Sequence, residues 1–292
     1  MKLLLIIIFS ILFLFSLLTI YQLKYNKNTI NYYSELKEKL SILPPYDNSL
    51  KDKINFPILY INLEQNKDRN ENILNEFKKN KIKNFKRIDA VYGKKYNFKG
   101  DDIGDFKFIN NFDKKFSNSE LGCTLSHIKA IKHAYENNLG TVLILEDDIS
   151  FDLLPLWKYT IKEITNLAPA DWRVIQLHNL NCNDEKSLFL KNKICFSTLA
   201  YLINREGQKQ IIDMFRNNTI IFDKYPEKNV YKLNADEFLY PLINNYYITQ
   251  SLFFADNKKM DSTIHQEDTL GHIKSATKIL NKYISTMEKM QI

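Results

Sequence analysis

Thr141-Val-Leu-Ile-Leu-Glu-Asp-Asp148 is the stretch that organises the rest of the chain. Thr141–Leu145 is an unbroken β-branched and apolar run, and Glu146, Asp147 and Asp148 follow it directly. A short, continuous apolar run bounded by turn residues reads as a strand buried on both faces, as in the middle of a parallel sheet. Gly140 stands just before it, where a helix C-terminus would be closed.

Upstream, Ser117 and Glu120 have the spacing of a helix capping box, and Leu121, Leu125, Ile128 and Ile131 then recur along one face. A helix is expected from there to about Asn138, stopped by Asn-Leu-Gly140. Farther upstream, Ile58–Leu63 reads as a buried strand, followed by a polar turn, Glu64–Arg69. Ile73, Leu74 and Phe77 then fall at helical spacing, and Phe85–Val91 reads as a second strand ending at Gly93. Asn97–Phe116 has no periodicity and is expected to be an irregular loop. Downstream, helices are expected over Leu156–Leu167, Gln208–Phe215 and Ala235–Ile243, and strands over Val174–Leu177 and Leu199–Ile203. Lys274–Met290 reads as an amphipathic tail helix. Strands alternating with helices predict an α/β domain with a mostly parallel central sheet. Ligands of such sheets bind beyond the carboxyl ends of the strands, and that is where Glu146-Asp147-Asp148 falls.

Three carboxylates at the tip of a buried strand repel one another and are costly to desolvate unless a cation compensates. Their hard oxygen atoms suit Mg²⁺ or Mn²⁺, with the choice among the three carboxylates left open. A solvated acidic turn is the alternative.

Composition narrows the classes. The chain has 292 residues, 45% of them hydrophobic, enough for one sizeable core; it has only seven glycines, which argues against glycine-rich phosphate loops. The net charge of +7 comes from lysines scattered among Asn, Asp and Glu, with no basic stripe interleaved with aromatics, so no nucleic-acid partner is expected. Cys123, Cys182 and Cys195 have no metal-ligand spacing and form no disulfide framework. Cys182 and Cys195 are read as free thiols, with pairing in an oxidising compartment the alternative.

Leu3–Ile20 is an uncharged run of 18 residues, almost all Leu, Ile and Phe. As a helix it would reach about 27 Å, close to the roughly 30 Å hydrocarbon core of a bilayer. No small-x-small cleavage pattern follows it, so a retained signal anchor is expected rather than a cleaved signal peptide. The expected organisation is an anchor over residues 1–23, a polar stem over 24–55 with Pro44-Pro45, a catalytic domain over 56–270 and a tail helix over 271–292. Flanking charge is nearly balanced, so orientation is weakly coded.

Several pieces, taken in order, resemble glycosyltransferase family 25. They are Tyr60-Ile-Asn-Leu63 with Asp68-Arg69, Arg87-Ile-Asp-Ala-Val-Tyr-Gly93, Glu120-Leu-Gly-Cys-Thr-Leu-Ser-His127 and Leu143-Ile-Leu-Glu-Asp-Asp148. Ala200-Tyr-Leu-Ile-Asn204 and Asp236 with Leu239 follow, and Asp261-Ser262 more loosely. The resemblance covers roughly Phe56 to Ile264. It implies a nucleotide-sugar-binding fold of the GT-A type and transfer of a hexose, galactose or glucose, from a UDP-sugar with inversion. A glycan, lipooligosaccharide or protein would be the acceptor. It places Asn62, Arg69, Ala90, Gly93, Ser126 and His127 at the nucleotide-sugar. Asp236 would be the catalytic base, with Asp147 a second catalytic carboxylate, and His265 is a further possible metal ligand. A strict Asp-x-Asp is absent, and Glu146-x-Asp148 stands in its place.

Each residue also has a plainer reading. Arg69 fits a surface ion pair, Gly93 a simple turn, and His127 a structural helix histidine; Asp236 fits a helix-start charge favoured by the macrodipole. Two other functions compete. A nucleotidyltransferase also places carboxylates after α/β strands, but it needs glycine after the first strand, where this chain has Glu-Gln-Asn-Lys-Asp-Arg. A membrane-tethered, catalytically inactive sugar-binding scaffold is the other alternative; the intact acidic triplet argues against it.

Overall fold

The computed structural model describes residues 53–96, 107–109, 117–157, 160–179, 189–191, 196–213, 215–216, 219–221, 234–243, 245–248, 251–255, 277–279 and 281. Leu3–Ile20, the possible Cys182–Cys195 pair, Asp261-Ser262 and His265 lie outside them. So does the tail helix apart from 277–279 and 281, which are helical. Among the described residues, no helix is long and apolar enough to cross a membrane.

The first part of the domain runs β1 (Ile58–Asn62), α1 (Lys67–Lys79), β2 (Phe85–Asp89), β3 (Lys107–Ile109), α2 (Asn118–Glu136), β4 (Val142–Glu146), β5 (Ile149–Ser150) and α3 (Ile161–Leu167). It continues with β6 (Val174–Gln176), β7 (Phe189–Lys191), β8 (Ala200–Ile203), α4 (Arg205–Asp213), β9 (Phe215–Arg216), β10 (Thr219–Ile221), α5 (Ala235–Leu242), β11 (Asn245–Ile248) and β12 (Phe254–Ala255). The central sheet has seven strands in the order β2-β1-β4-β8-β6-β11-β7. β1, β2, β4, β6 and β11 run one way, and β8 and β7 run against them. The expectation of an α/β fold around a mostly parallel sheet is met.

β4 lies between β1 and β8, and Val142, Leu143, Ile144 and Leu145 are all fully buried. Alternation divides these side chains between two cores. Leu143 and Leu145, with Ile58 and Tyr60 of β1, pack on one face with Ile73 and Phe77 of α1, Ile161 and Ile164 of α3, Phe151 and Phe253. Val142 and Ile144, with Leu59 and Ile61, pack on the other face with Leu121, Leu125, Ile128 and Ile131 of α2, Ile211 of α4 and Phe238 of α5. A strand covered on both faces has no room for a polar residue, and this accounts for the unbroken run.

α2 carries the expected capping box: Glu120 N–H donates to Ser117 Oγ at 3.2 Å and Ser117 N–H donates to Glu120 Oε2 at 2.8 Å. Such a cap stabilises a helix by about 1 kcal/mol. Asn137 closes the helix, and Asn138 and Gly140 both adopt positive φ, 51° and 69°.

Three expectations are corrected. The helix drawn from Leu156 begins at Ile161, because Thr160 and Glu163 form a second capping box and Leu154–Leu156 is a separate 3₁₀ turn containing Pro155. The helix drawn from Gln208 begins a turn earlier, where Asn204 Oδ1 accepts from Gly207 N–H at 2.8 Å; Phe215 belongs to β9. The loop drawn over Asn97–Phe116 contains β3, which pairs in parallel with β10. Pairing across that many residues leaves no local periodicity to read.

Candidate active site

Glu146 is the last residue of β4, and Asp147-Asp148 make the turn into β5. The parallel strands β1 and β2 end at the same rim, bringing Asn62 and the segment Ala90–Gly93 beside the carboxylates. Arg69 reaches in from the first turn of α1. Cys123, Ser126 and His127 project from α2. Apart from the buried Asn62, these groups line a cleft of about 110 Å³ together with Ile61, Leu63, Asn66 and Ser119.

Arg69 Nη1 donates to Asp147 Oδ1 at 3.0 Å and to Asp148 Oδ2 at 3.3 Å. Asn62 Nδ2 donates to Asp147 Oδ2 at 2.6 Å, while Asn62 Oδ1 accepts from Arg87 Nε at 2.9 Å. Both ends of the Asn62 side chain are thus engaged within the protein, and its effect is to fix Asp147. Glu146 Oε1 accepts from the Thr198 hydroxyl at 2.6 Å and lies 3.4 Å from His127 Nε2. Asp148 Oδ1 is buried and has no hydrogen-bond partner.

The electrostatics follow from this geometry. Burial pushes the Glu146 carboxyl up, but His127, the Thr198 hydroxyl and Arg69 hold it below its ordinary value. Burial dominates at Asp147 and leaves it raised, against Arg69 and Asn62. Burial also raises Asp148; Arg69 opposes this and the neighbouring Glu146 and Asp147 add to it, so its pKa reaches about 7. One guanidinium against three carboxylates leaves the cluster short of positive charge. An orphaned carboxylate oxygen among like charges is the pattern a bound cation would relieve. The oxygen donors of Glu146 and Asp148 fit a hard divalent ion such as Mn²⁺ or Mg²⁺.

The other expected site residues divide into two groups. Ser126 Oγ donates to Gly122 O at 2.6 Å and accepts from Val91 N–H at 2.8 Å, tying α2 to the segment after β2. Gly93 and Gly122 serve the same contact. A Cβ on Gly93 would lie 1.7 Å from Asn118 O, and one on Gly122 would lie 2.7 Å from Val91 O, so the two backbones pack directly. Ala90 continues the β1 pairing, its N–H donating to Asn62 O at 3.0 Å, and lines the cleft. His127 is fully buried, with Nδ1 at 3.1 Å from the Tyr201 hydroxyl.

Asp236 is not among the residues lining the cleft. It sits in the first turn of α5, where its Oδ2 accepts from Ser197 N–H at 2.8 Å. Burial pushes the Cys123 thiol on the cleft wall well up, and the carboxylates of Glu146 and Asp236 add to it. The sequence assigns no role to two contributors: Thr198, which holds Glu146, and Arg87, which holds Asn62 and stands in a motif that carries the family resemblance. Period-2 alternation puts Arg87 on the same face of the sheet as Asn62. Thr198 carries no local signal, because the antiparallel pairing of β8 with β4 is what brings it there.

The sequence profile described as Glycosyltransferase family 25 (LPS biosynthesis protein) matches residues 55–226. Similar proteins include Procollagen galactosyltransferase 1-B of Xenopus laevis, 28% identical over 177 residues, 56% of this chain and 29% of that protein. Procollagen galactosyltransferase 2 of Homo sapiens is 26% identical over 194 residues, 61% and 30% of the two chains. A Glycosyltransferase 25 family member of Aedes aegypti is 27% identical over 234 residues, 74% and 35%. The chain thus spans about a third of the length of these relatives. The profile covers more than half of the chain and takes in β1, the capped helix α2 and the whole carboxylate cluster, so the chain belongs to glycosyltransferase family 25.

Proposed function

We propose that this chain is a metal-dependent, inverting glycosyltransferase that moves a hexose from a UDP-sugar to a hydroxyl of a glycan or protein acceptor. The observation that carries this reading is the buried, unpartnered Asp148 Oδ1 at the rim of a cleft built from strand ends. The relatives named procollagen galactosyltransferase support a galactose donor and a protein acceptor, and the family description as an LPS biosynthesis protein supports a glycan acceptor.

Glu146 and Asp148 would hold the divalent cation, which supplies charge neutralisation at the donor diphosphate as it leaves. Arg69, held by Asp147 and Asp148, keeps a permanent positive charge at the same rim. Asp147 acts through Arg69 and Asn62 rather than by touching substrate. The Ala90–Gly93 segment, drawn against α2 by Ser126, offers backbone to the nucleotide. Asp236, oriented by the Ser197 amide, takes the proton of the acceptor hydroxyl. The acceptor oxygen then forms its bond to the anomeric carbon as the bond from that carbon to the diphosphate breaks, and UDP leaves with the electron pair. A single displacement of this kind inverts the configuration. Leu3–Ile20 would anchor the protein with the catalytic domain on the far side of the membrane.

Purified protein offered UDP- and GDP-sugars with Mn²⁺, Mg²⁺ or EDTA tests the reading. Metal-dependent release of UDP from one donor, abolished by EDTA, is the expected result. The absence of metal-dependent turnover with every donor, from folded protein, would overturn it. Carbonate extraction of the full chain tests the anchor: the protein should stay with the membrane pellet, and its release into the supernatant would refute the anchor alone.

A further inference from the structure

We propose that Cys123, His127 and Glu146 form a second cation site, one that takes a thiophilic divalent metal of the Zn²⁺ type and is distinct from the oxygen-ligand pair Glu146 and Asp148. The Cys123 sulfur, a ring nitrogen of His127 and a carboxylate oxygen of Glu146 lie within 4.8 Å of one another. Cys123 and His127 are four residues apart on α2, so they share one face of the helix. Glu146 meets them from the end of β4. His127 Nε2 and Glu146 Oε1 are 3.4 Å apart. Tetrahedral Zn²⁺ with bonds of about 2.0–2.1 Å sets neighbouring ligand atoms about 3.3 Å apart, so these two atoms are already spaced for it.

A second observation points to a ligand. His127 is fully buried, and its Nε2 makes no hydrogen bond of normal geometry, with Glu146 Oε1 3.4 Å away. The other ring nitrogen, Nδ1, faces the Tyr201 hydroxyl at 3.1 Å. With the proton on Nδ1 donated to that oxygen, the Nε2 lone pair points toward Glu146 and Cys123, as a metal-binding histidine requires. The Thr198 hydroxyl fixes the Glu146 carboxylate on the opposite side. Binding forms a sulfur–metal bond and releases the thiol proton to solvent. Three protein ligands leave a fourth position for water or substrate, and all three residues line the cleft.

Ligand softness separates this site from that of the donor cation. A thiolate and an imidazole select Zn²⁺, Co²⁺ or Cd²⁺ and give nothing to Mg²⁺. Because Glu146 belongs to both sets, a thiophilic ion would occupy an arm of the donor site and compete with its cation.

Co²⁺ serves as the spectroscopic probe. One equivalent added to the full-length protein should produce a thiolate-to-cobalt charge-transfer band, displaced by Zn²⁺ and absent from Cys123→Ser. No band from folded protein, or a band that persists in Cys123→Ser, overturns the proposal. A measurement on the unaltered chain guards against misfolding of the variant. Alkylation of Cys123 by a maleimide, followed by peptide mass spectrometry, should slow at least tenfold with Zn²⁺ and not at all with Mg²⁺. Equal rates with and without Zn²⁺, or equal protection by Mg²⁺, would also overturn it.

Discussion

The half of the sheet made by β2, β1 and β4 and the half made by β8, β6 and β11 treat buried polar groups differently. In the first half the strands run parallel and end at one rim, so Asn62, Ala90 and Glu146 arrive together. Charge is concentrated there, and Asp148 Oδ1 has no partner. In the second half β8 runs the other way, so the segment before it, not after it, reaches that rim. Polar groups converge there on Ser197. Its carbonyl accepts from Gln176 Nε2 at 2.9 Å and from the Tyr240 hydroxyl at 2.8 Å, and its hydroxyl lies 2.8 Å from His178 Nδ1. Its N–H donates to Asp236. Ser197 has φ 111°, a conformation costing a non-glycine residue on the order of 1–3 kcal/mol, and these bonds hold it there. The first half gathers carboxylates, one with an unpartnered oxygen; in the second the groups around Ser197 bond one another, and the neutral Asn245 Oδ1 of β11 is also buried without a partner. They meet where Thr198 donates to Glu146.

If the first half takes up the cation, the largest effect should come from Asp148→Asn. Removing an anionic ligand of equal volume should lower kcat by about 10³-fold, equivalent to about 4 kcal/mol of barrier. The fold should survive, because relieving repulsion among like charges does not destabilise it. Turnover and a melting curve on the same preparation check both parts; normal turnover with unchanged Mn²⁺ dependence would remove Asp148 from the metal site.

Asp236→Asn probes the second half. The amide oxygen still accepts from Ser197 N–H, so the fold should hold while the base is lost. Turnover should fall about 10²-fold, at the lower end for a general base, with donor and Mn²⁺ affinity unchanged. Loss of donor or metal binding as severe as in Asp148→Asn would assign Asp236 to the first half instead.

Thr198→Val tests the joint between the halves. It keeps the shape of the side chain and deletes the hydroxyl that bonds Glu146. A hydrogen bond to a charged group contributes about 1.5–3 kcal/mol, so Mn²⁺ affinity, measured by calorimetry, should weaken by roughly 10- to 150-fold. Unchanged affinity would show that the halves act independently.

Ser117→Ala should have the smallest effect. It removes the cap of α2, a side chain that does not itself line the cleft, costing about 1 kcal/mol, or about 2–4 °C in Tm, with turnover unchanged. A loss of turnover would mean that the first turn of α2 reaches the cleft chemistry.

The sequence by itself determined what depends on neighbours along the chain. The unbroken run before Glu146 marked a strand covered on both faces, and Ser117 with Glu120 marked the start of α2. The carboxylates at the strand tip marked the rim where the cleft lies, since in such sheets strand ends face the ligand. Arg69 and Asn62 were picked out as well, as contacts of the donor. In the tertiary structure Asn62 braces Asp147, and Gly93 and Ser126 hold α2 against the segment after β2. It also decided everything that rests on pairing between distant segments. β3 appeared inside an expected loop because its partner, β10, lies far along the chain. Thr198 reached Glu146 because β8 is antiparallel to β4, a direction that the apolar run in β8 does not encode. Asp236 was placed beside Ser197, outside the cleft lining, by the packing of α5. Cys123, His127 and Glu146 came together because one face of α2 crosses the end of β4. Periodicity reports which side of a helix or strand is buried; which groups meet there is set by how the elements pack.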